Sequence, residues 1–182
     1  FLGNSVGPYT GGLIAENLGY RTTFLFAGGL EAVAALLVIL FVTERFERPV
    51  GVDRLGLHLL WRNFDRLLRS RGMVAVLLVV LTLESGTTLM IPVLPVLIGA
   101  LVGASTAATS AGLAFSVRGI AATGASLAMG KVTERFGTTA VLVAAASLGA
   151  VAYLPMLVVD GLPEMYVTLA FLGLFLGGAS TL

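Results

Sequence analysis

Apolar residues run through this chain in long unbroken stretches. They do not alternate as in a half-buried strand, and they do not form the single stripe of a surface helix. Six stretches stand out: 1–18, 23–43, 73–101, 106–129, 139–159 and 165–182. About 20 apolar residues at a helical rise of 1.5 Å cover a bilayer's hydrocarbon core. Each stretch reaches or approaches that length, so the pattern predicts an all-α, polytopic transmembrane helical bundle. The second stretch is closed by the charged run Glu44, Arg45, Glu47, Arg48, Pro49. The third contains Pro92 and Pro95, which predict an interrupted helix that could flex or expose backbone carbonyls.

Between the second and third stretches lies a different pattern. Leu57, Leu60, Trp61, Phe64, Leu67 and Leu68 fall on one helical face, with Arg62, Asp65, Arg66 and Arg69 largely on the other. This predicts an amphipathic helix lying in the membrane interface and connecting two groups of spans. His58 flanks its apolar stripe as an interfacial bystander.

Composition supports the pattern. Of the 182 residues, 57% are hydrophobic and 12% charged, with a mean hydropathy of +0.99. A soluble domain carries roughly 25% charged residues, so soluble enzymes and disordered tails are poor readings. The net charge of +1 offers no basic field for nucleic acid. With no cysteine and one histidine, disulfides, thiolate chemistry and a histidine metal cluster are excluded. No cofactor is expected. Gly124 to Lys131 imitates a phosphate loop, but five residues separate its glycines and Val132 follows the lysine. The start at Phe1 and the end within an apolar run read as an internal fragment of a longer protein.

The charges also orient the chain. Seven arginines lie in 44–72, and Lys131 and Arg135 lie in the 130–138 turn. Nine of the eleven basic residues therefore share one side, which the positive-inside rule makes cytoplasmic. The expected location is a plasma or inner membrane.

The first stretch contains Gly3-Asn-Ser-Val-Gly7-Pro8-Tyr9-Thr10-Gly11-Gly12. Glycines at this spacing let a neighbouring helix approach closely, and Pro8 bends the helix. The Gly-Pro-x-x-Gly-Gly run resembles the antiporter signature on the fifth helix of major facilitator superfamily drug:proton exporters. Further on, Gly130-Lys131-Val132-Thr133-Glu134-Arg135-Phe136-Gly137 resembles the second copy of that superfamily's cytoplasmic loop motif. Gly130, Arg135 and Gly137 match, Glu134 replaces an aspartate, and Thr138 and Thr139 stand where the motif has basic residues. A charge-relay role and a plain tight turn both remain open for this copy.

The resemblance implies a division of the chain. Residues 1–43 would be helices 5 and 6, ending an N-terminal half; 44–72 would be the central linker; 73–182 would be helices 7 to 10. It further implies alternating access and proton-driven expulsion of a small organic solute. Gly3, Gly7, Pro8, Gly11 and Gly12 would then shape and seal the interface between halves. Expected partners are the solute, protons and the lipid bilayer, with the protein acting as a monomer.

Three charged residues fall deep inside the stretches: Glu31, Glu84 and Arg118. Each costs of order 2.5–3.5 kcal/mol at a helix centre, so a chain keeps them only with partners or water. The helical rise puts each roughly 16–18 Å from its cytoplasmic end, near the midplane. A Glu84–Arg118 pair is permitted at that depth. It could hold two helices in register, or Glu84 could load and release a proton with Arg118 lowering its pKa. Ser85, Thr87 and Thr88 surround Glu84 in sequence. Glu31 is assigned a packing or interfacial role ahead of a transport one. The fourth stretch is rich in Ala, Gly and Ser, which predicts close packing on several sides.

Rival readings are a nutrient-importing symporter or facilitator of the same superfamily and, from another class, a membrane scaffold or embedded enzyme. The antiporter signature argues against the first. The lack of a Ser–His pair, an Asp pair or a metal cluster within a span argues against an embedded enzyme.

Overall fold

The computed structural model describes residues 2–43, 64, 69–103 and 105–179. Among these the chain forms six α-helices: α1 (Leu2–Leu18), α2 (Tyr20–Phe41), α3 (Arg71–Val102), α4 (Ala107–Phe136), α5 (Thr138–Ala152) and α6 (Leu162–Ala179). A short 3-10 helix, Leu154–Leu157, follows α5. The described residues contain no strand. Four segments are long and apolar enough to cross a membrane: Tyr20–Phe41, Gly72–Val102, Ala107–Phe136 and Thr138–Leu157. The expected all-α helical bundle is what the chain forms. The amphipathic helix of the linker lies almost entirely outside the described residues.

Two expectations from local sequence are corrected. The 130–138 turn is much shorter than expected, because α4 continues to Phe136 and α5 begins at Thr138. Gly137 alone turns the chain, at a φ of 82° that side-chain-bearing residues rarely adopt. Its N–H caps α4 by donating to the Thr133 carbonyl at 2.8 Å. The residues before it are ordinary helix formers, so nothing ends α4 sooner. The second correction concerns α3, which runs unbroken through Pro92 and Pro95. Each proline removes one N–H, so the carbonyls of Thr88 and Ile91 lose their helical partners. The helix persists because its second half is anchored: Leu94 and Ile98 are 2% and 0% exposed. Pro155 acts differently. α5 ends at Ala152, and the chain passes through Tyr153 into the 3-10 turn that contains the proline.

The described chain divides into two compact units, Phe1–Leu25 with Ser85–Leu182, and Phe26–Glu84. In the first, α4 is the central helix, packed by α1 on one side and α6 on the other. Its core gathers Leu94 and Ile98 of α3, Ala111 and Ala114 of α4, and Met165, Leu169 and Leu172 of α6. The small residues of α4 explain its two-sided packing, since nothing bulky holds the neighbouring backbones away. The second unit contains most of α2 and the first half of α3. No residue of α2 is buried, although it includes Phe24, Leu25, Ile39 and Phe41. In a membrane such a surface faces lipid or other helices at no hydrophobic cost.

Candidate functional site

The motif helix α1 meets α4 along a row of residues spaced four apart, Asn4, Pro8, Gly12 and Glu16, with Ser5 and Tyr9 beside it. At Gly12 an added Cβ would stand 2.5 Å from the Ala108 carbonyl oxygen. Gly112 of α4 lies against the Pro8 carbonyl, and a Cβ on Gly119 would meet the Asn4 carbonyl oxygen at 2.7 Å. Pro8 has no N–H, so the Asn4 carbonyl is the one left without its helical donor. The seam thus presents the Cα–H of Gly119 to an orphaned acceptor, a weak hydrogen bond common at helix crossings. The neighbouring Tyr9 amide donates across the seam to Ser116 Oγ at 3.2 Å. Ser5 Oγ and Thr123 Oγ1 lie 3.3 Å apart. Both Ser5 and Ser116 are buried.

The seam ends in a cap. Thr106, the N-cap of α4, makes no side-chain capping bond. The Thr109 amide donates instead to Glu16 Oε2 of α1 at 3.2 Å. A carboxylate at a helix N-terminus meets both unsatisfied amides and the positive end of the dipole. Glu16 escaped notice in the sequence because a glutamate near a helix end is ordinary. Its signal was its place on the Asn4–Pro8–Gly12 row.

The motif glycines therefore separate. Gly12 is buried in the seam against the backbone of Ala108 and Thr109, whereas among the described residues no atom approaches the Cβ positions of Gly3, Gly7 and Gly11 within 4 Å. Of the motif residues, Gly12 and Pro8 meet α4 among the described residues. Successive residues point about 100° apart on a helix, so the 3–7–11 row faces elsewhere while the 4–8–12–16 row meets α4.

Arg118 is half-buried on α4, eleven residues from Ala107 and eighteen from Phe136. It belongs to the first unit, whereas Glu31 and Glu84 belong to the second, where both are exposed. Tyr153, at the break after α5, is the polar residue the sequence reading passed over. Its hydroxyl donates to the Gly86 carbonyl of α3 at 3.2 Å, and it lies within electrostatic reach of Arg118. A lone tyrosine beside a proline in an aliphatic span was the available signal.

The second motif lies on the last turns of α4. Gly130, Lys131, Glu134 and Arg135 are exposed there, and the Arg135 guanidinium sits 5.5 Å from the Phe136 ring centroid. Gly137 follows as the turn. Two apolar cavities of about 530 and 590 Å³ flank α5 and α6, and neither is lined by Arg118. No group of three or more potential metal ligands occurs among the described residues.

A profile of the Major Facilitator Superfamily matches residues 1–182. The chain belongs to this superfamily. It is accordingly a multi-pass membrane protein. Among curated relatives it is 31% identical over 156 residues to multidrug resistance protein MdtG of Citrobacter koseri, covering 85% of this chain and 37% of that protein. It is 30% identical to MdtG of Enterobacter lignolyticus, covering 85% of this chain and 36% of the relative. For MdtG of Proteus mirabilis the identity is 27% over 164 residues, covering 90% of this chain and 40% of the relative. The chain thus spans well under half the length of these superfamily relatives. No solved structure matches it.

Proposed function

We propose that the protein to which this chain belongs is a secondary active transporter that expels small organic molecules in exchange for protons by alternating access. The observation that carries this reading is the seam between α1 and α4. A proline-bent helix bearing the antiporter-like signature lies directly against a small-residue helix, with polar contacts from Ser5 to Glu16. Such a seam excludes bulk and water between two helix bundles, which an exchanger needs if protons are not to leak past the solute. The multidrug-resistance names of the relatives point the same way. Alternating access would then proceed by rocking of the bundles around a midplane site.

In this reading Pro8 and Gly12 seal the seam from the α1 side. Gly3, Gly7 and Gly11 keep their assignment to the motif, on its open face. Glu84 loads and releases the coupling proton, Arg118 contacts the solute, and Glu31 supports packing. Gly130, Lys131, Glu134, Arg135 and Gly137 bound the cytoplasmic turn. The solute, protons and lipid are its partners. No enzymatic step is assigned.

The test uses the full-length parent in everted vesicles carrying a pH gradient. Addition of a transported organic solute collapses the gradient, and control vesicles do not respond. Glu84→Gln abolishes that solute-dependent collapse. Transport by Glu84→Gln with unchanged pH dependence would remove the coupling role.

A further inference from the structure

We propose that the apolar cavity between α4, α5 and α6 holds an acyl chain of an anionic phospholipid, with Lys131 and Arg135 taking its phosphate headgroup. Such a lipid site is independent of the transported solute and of the coupling ion.

The cavity has a volume of about 530 Å³, and its walls include Val132 and Phe136 of α4, Val141 and Leu148 of α5, and Leu174 and Phe175 of α6. All three helices belong to one compact unit. Every residue lining the cavity is apolar. Pockets for small solutes carry a few placed polar groups that fix orientation, and none of the lining residues supplies one. Charge is found instead at one end. Phe136 lines the cavity there, and the Arg135 guanidinium sits 5.5 Å from the centroid of that ring. Lys131 lies one turn before Arg135 on the same face of α4, bordering the cavity-lining row Ala128, Val132 and Phe136. Both basic residues are exposed. The lysine stem can follow apolar surface while its ammonium reaches the membrane surface. Glu134 projects about 100° round the helix from Arg135, away from the cavity row. An apolar cavity with a cationic end suits an amphiphile that has an anionic head.

The dimensions select a lipid among amphiphiles. Along α4 the lining runs from Gly124 to Phe136, a rise of about 18 Å. One leaflet's share of the hydrocarbon core is about 15 Å, half of the full thickness. The cavity therefore matches the depth of a single leaflet. Its charged end is the one that the basic residues assign to the cytoplasm. Anionic lipids of that leaflet attract Lys and Arg held at the membrane surface, and basic sites between membrane helices on that side take lipid headgroups.

The experiment photolabels the purified full-length parent, reconstituted in phosphatidylcholine vesicles. Trace phosphatidylglycerol or phosphatidylcholine is added, each with a diazirine on the same acyl chain, and labelled peptides are mapped by mass spectrometry. Phosphatidylglycerol is expected to label the cavity walls on α5 and α6 in preference to phosphatidylcholine, by about fivefold for each basic residue engaged. Lys131→Gln combined with Arg135→Gln abolishes the preference and leaves phosphatidylcholine labelling as in the parent. Arg135→Gln alone falls between. Ala144 is exposed and lines the cavity, so Ala144→Phe fills the groove without crowding the core and lowers labelling there by both lipids. Melting temperatures in lipid-free detergent verify that each variant is folded. Equal labelling by the two lipids in the parent overturns the proposal, as does a preference that survives loss of both basic residues. Labels confined to surfaces outside the cavity, the result if another helix of the parent fills it, also overturn it.

Discussion

The two faces of α4 are both built on close backbone approach, yet they are bonded differently. Toward α6, Gly173 lies against the Arg118 carbonyl and Gly177 against Ala122, and the buried side chains of α6 include Met165, Leu169, Leu172 and Leu176. A polar bond on this face, from the Tyr166 hydroxyl to the Ser110 carbonyl, is long at 3.5 Å. Toward α1 the approach is equally close at Gly12, Gly112 and Gly119, but polar contacts cross it at Ser5, Tyr9 and Glu16. Dispersion between interlocked backbones falls off steeply with a small separation. Hydrogen bonds of hydroxyls and a carboxylate can be exchanged for water as a seam opens. The comparison suggests a permanent joint on the α6 face and a separable one on the α1 face, as a rocking mechanism requires.

The sharpest way to break this comparison is at Gly173. A Cβ there overlaps the α4 backbone, which cannot retreat as a flexible side chain would. Gly173→Ala in the full-length parent is expected to cost about 3 kcal/mol, at the upper end for overpacking. A large drop in thermal stability in detergent, with little folded protein recovered, is the expected readout. Gly112→Ala makes a comparable overlap with Pro8 on the other face. If that joint separates during the cycle, the cost is smaller, about 1–2 kcal/mol. Transport should then fall more than stability does. Equal stability losses at the two glycines would erase the distinction between the faces.

Much of this architecture was legible in the chain. Continuous apolar stretches set the helices, because only a helix satisfies its own backbone in lipid. The small residues of α4 announced a helix packed on both sides. What local sequence could not show was rotation. The motif residues Gly3, Gly7, Pro8, Gly11 and Gly12 all offered a contact surface, and of these Pro8 and Gly12 meet α4. Only the partner helix decides between rows about 100° apart. The same limit hid Glu16 and Tyr153, whose importance comes from an amide and a carbonyl on distant helices. Pro92 and Pro95 misled for a related reason: α3 remains helical through them because Leu94 and Ile98 are buried. By contrast, Gly137 could have been read as the turn itself, since it follows a run of helix formers.

A milder variant sharpens the comparison at the centre of the seam. Ser116→Ala removes the Ser116 Oγ acceptor of the part-buried Tyr9 amide and so a hydrogen bond across the seam. The expected cost is about 1 kcal/mol. Restoring a hydroxyl with Ser116→Thr should recover most of it. Gly7→Ala serves as the contrast, since nothing lies within 4 Å of its added Cβ. Its intrinsic effect on a helix is favourable by up to about 1 kcal/mol. A clear loss of stability in Gly7→Ala would mean that a segment outside the described residues packs on the open row.

The smallest effect is expected at Glu16. Its bond to the Thr109 amide is exposed, so solvent and salt screen the charge. Glu16→Gln preserves an acceptor oxygen but removes the interaction of a full charge with the α4 dipole. A loss of only a few tenths of a kcal/mol is expected, shrinking further as salt is added. Such a change barely moves a melting temperature, yet it bears directly on the separable joint. The bond exists only while the end of α1 lies against the start of α4. Weakening it shifts the balance toward states in which that end of the seam is open. The chain contains no cysteine, so a single Ala108→Cys reports opening by its alkylation rate once any cysteines elsewhere in the parent are removed. Faster alkylation in the Glu16→Gln background, with little change in stability, is the expected result. An unchanged rate would place the cap outside the moving part of the seam and confine separation to the Tyr9–Ser116 region.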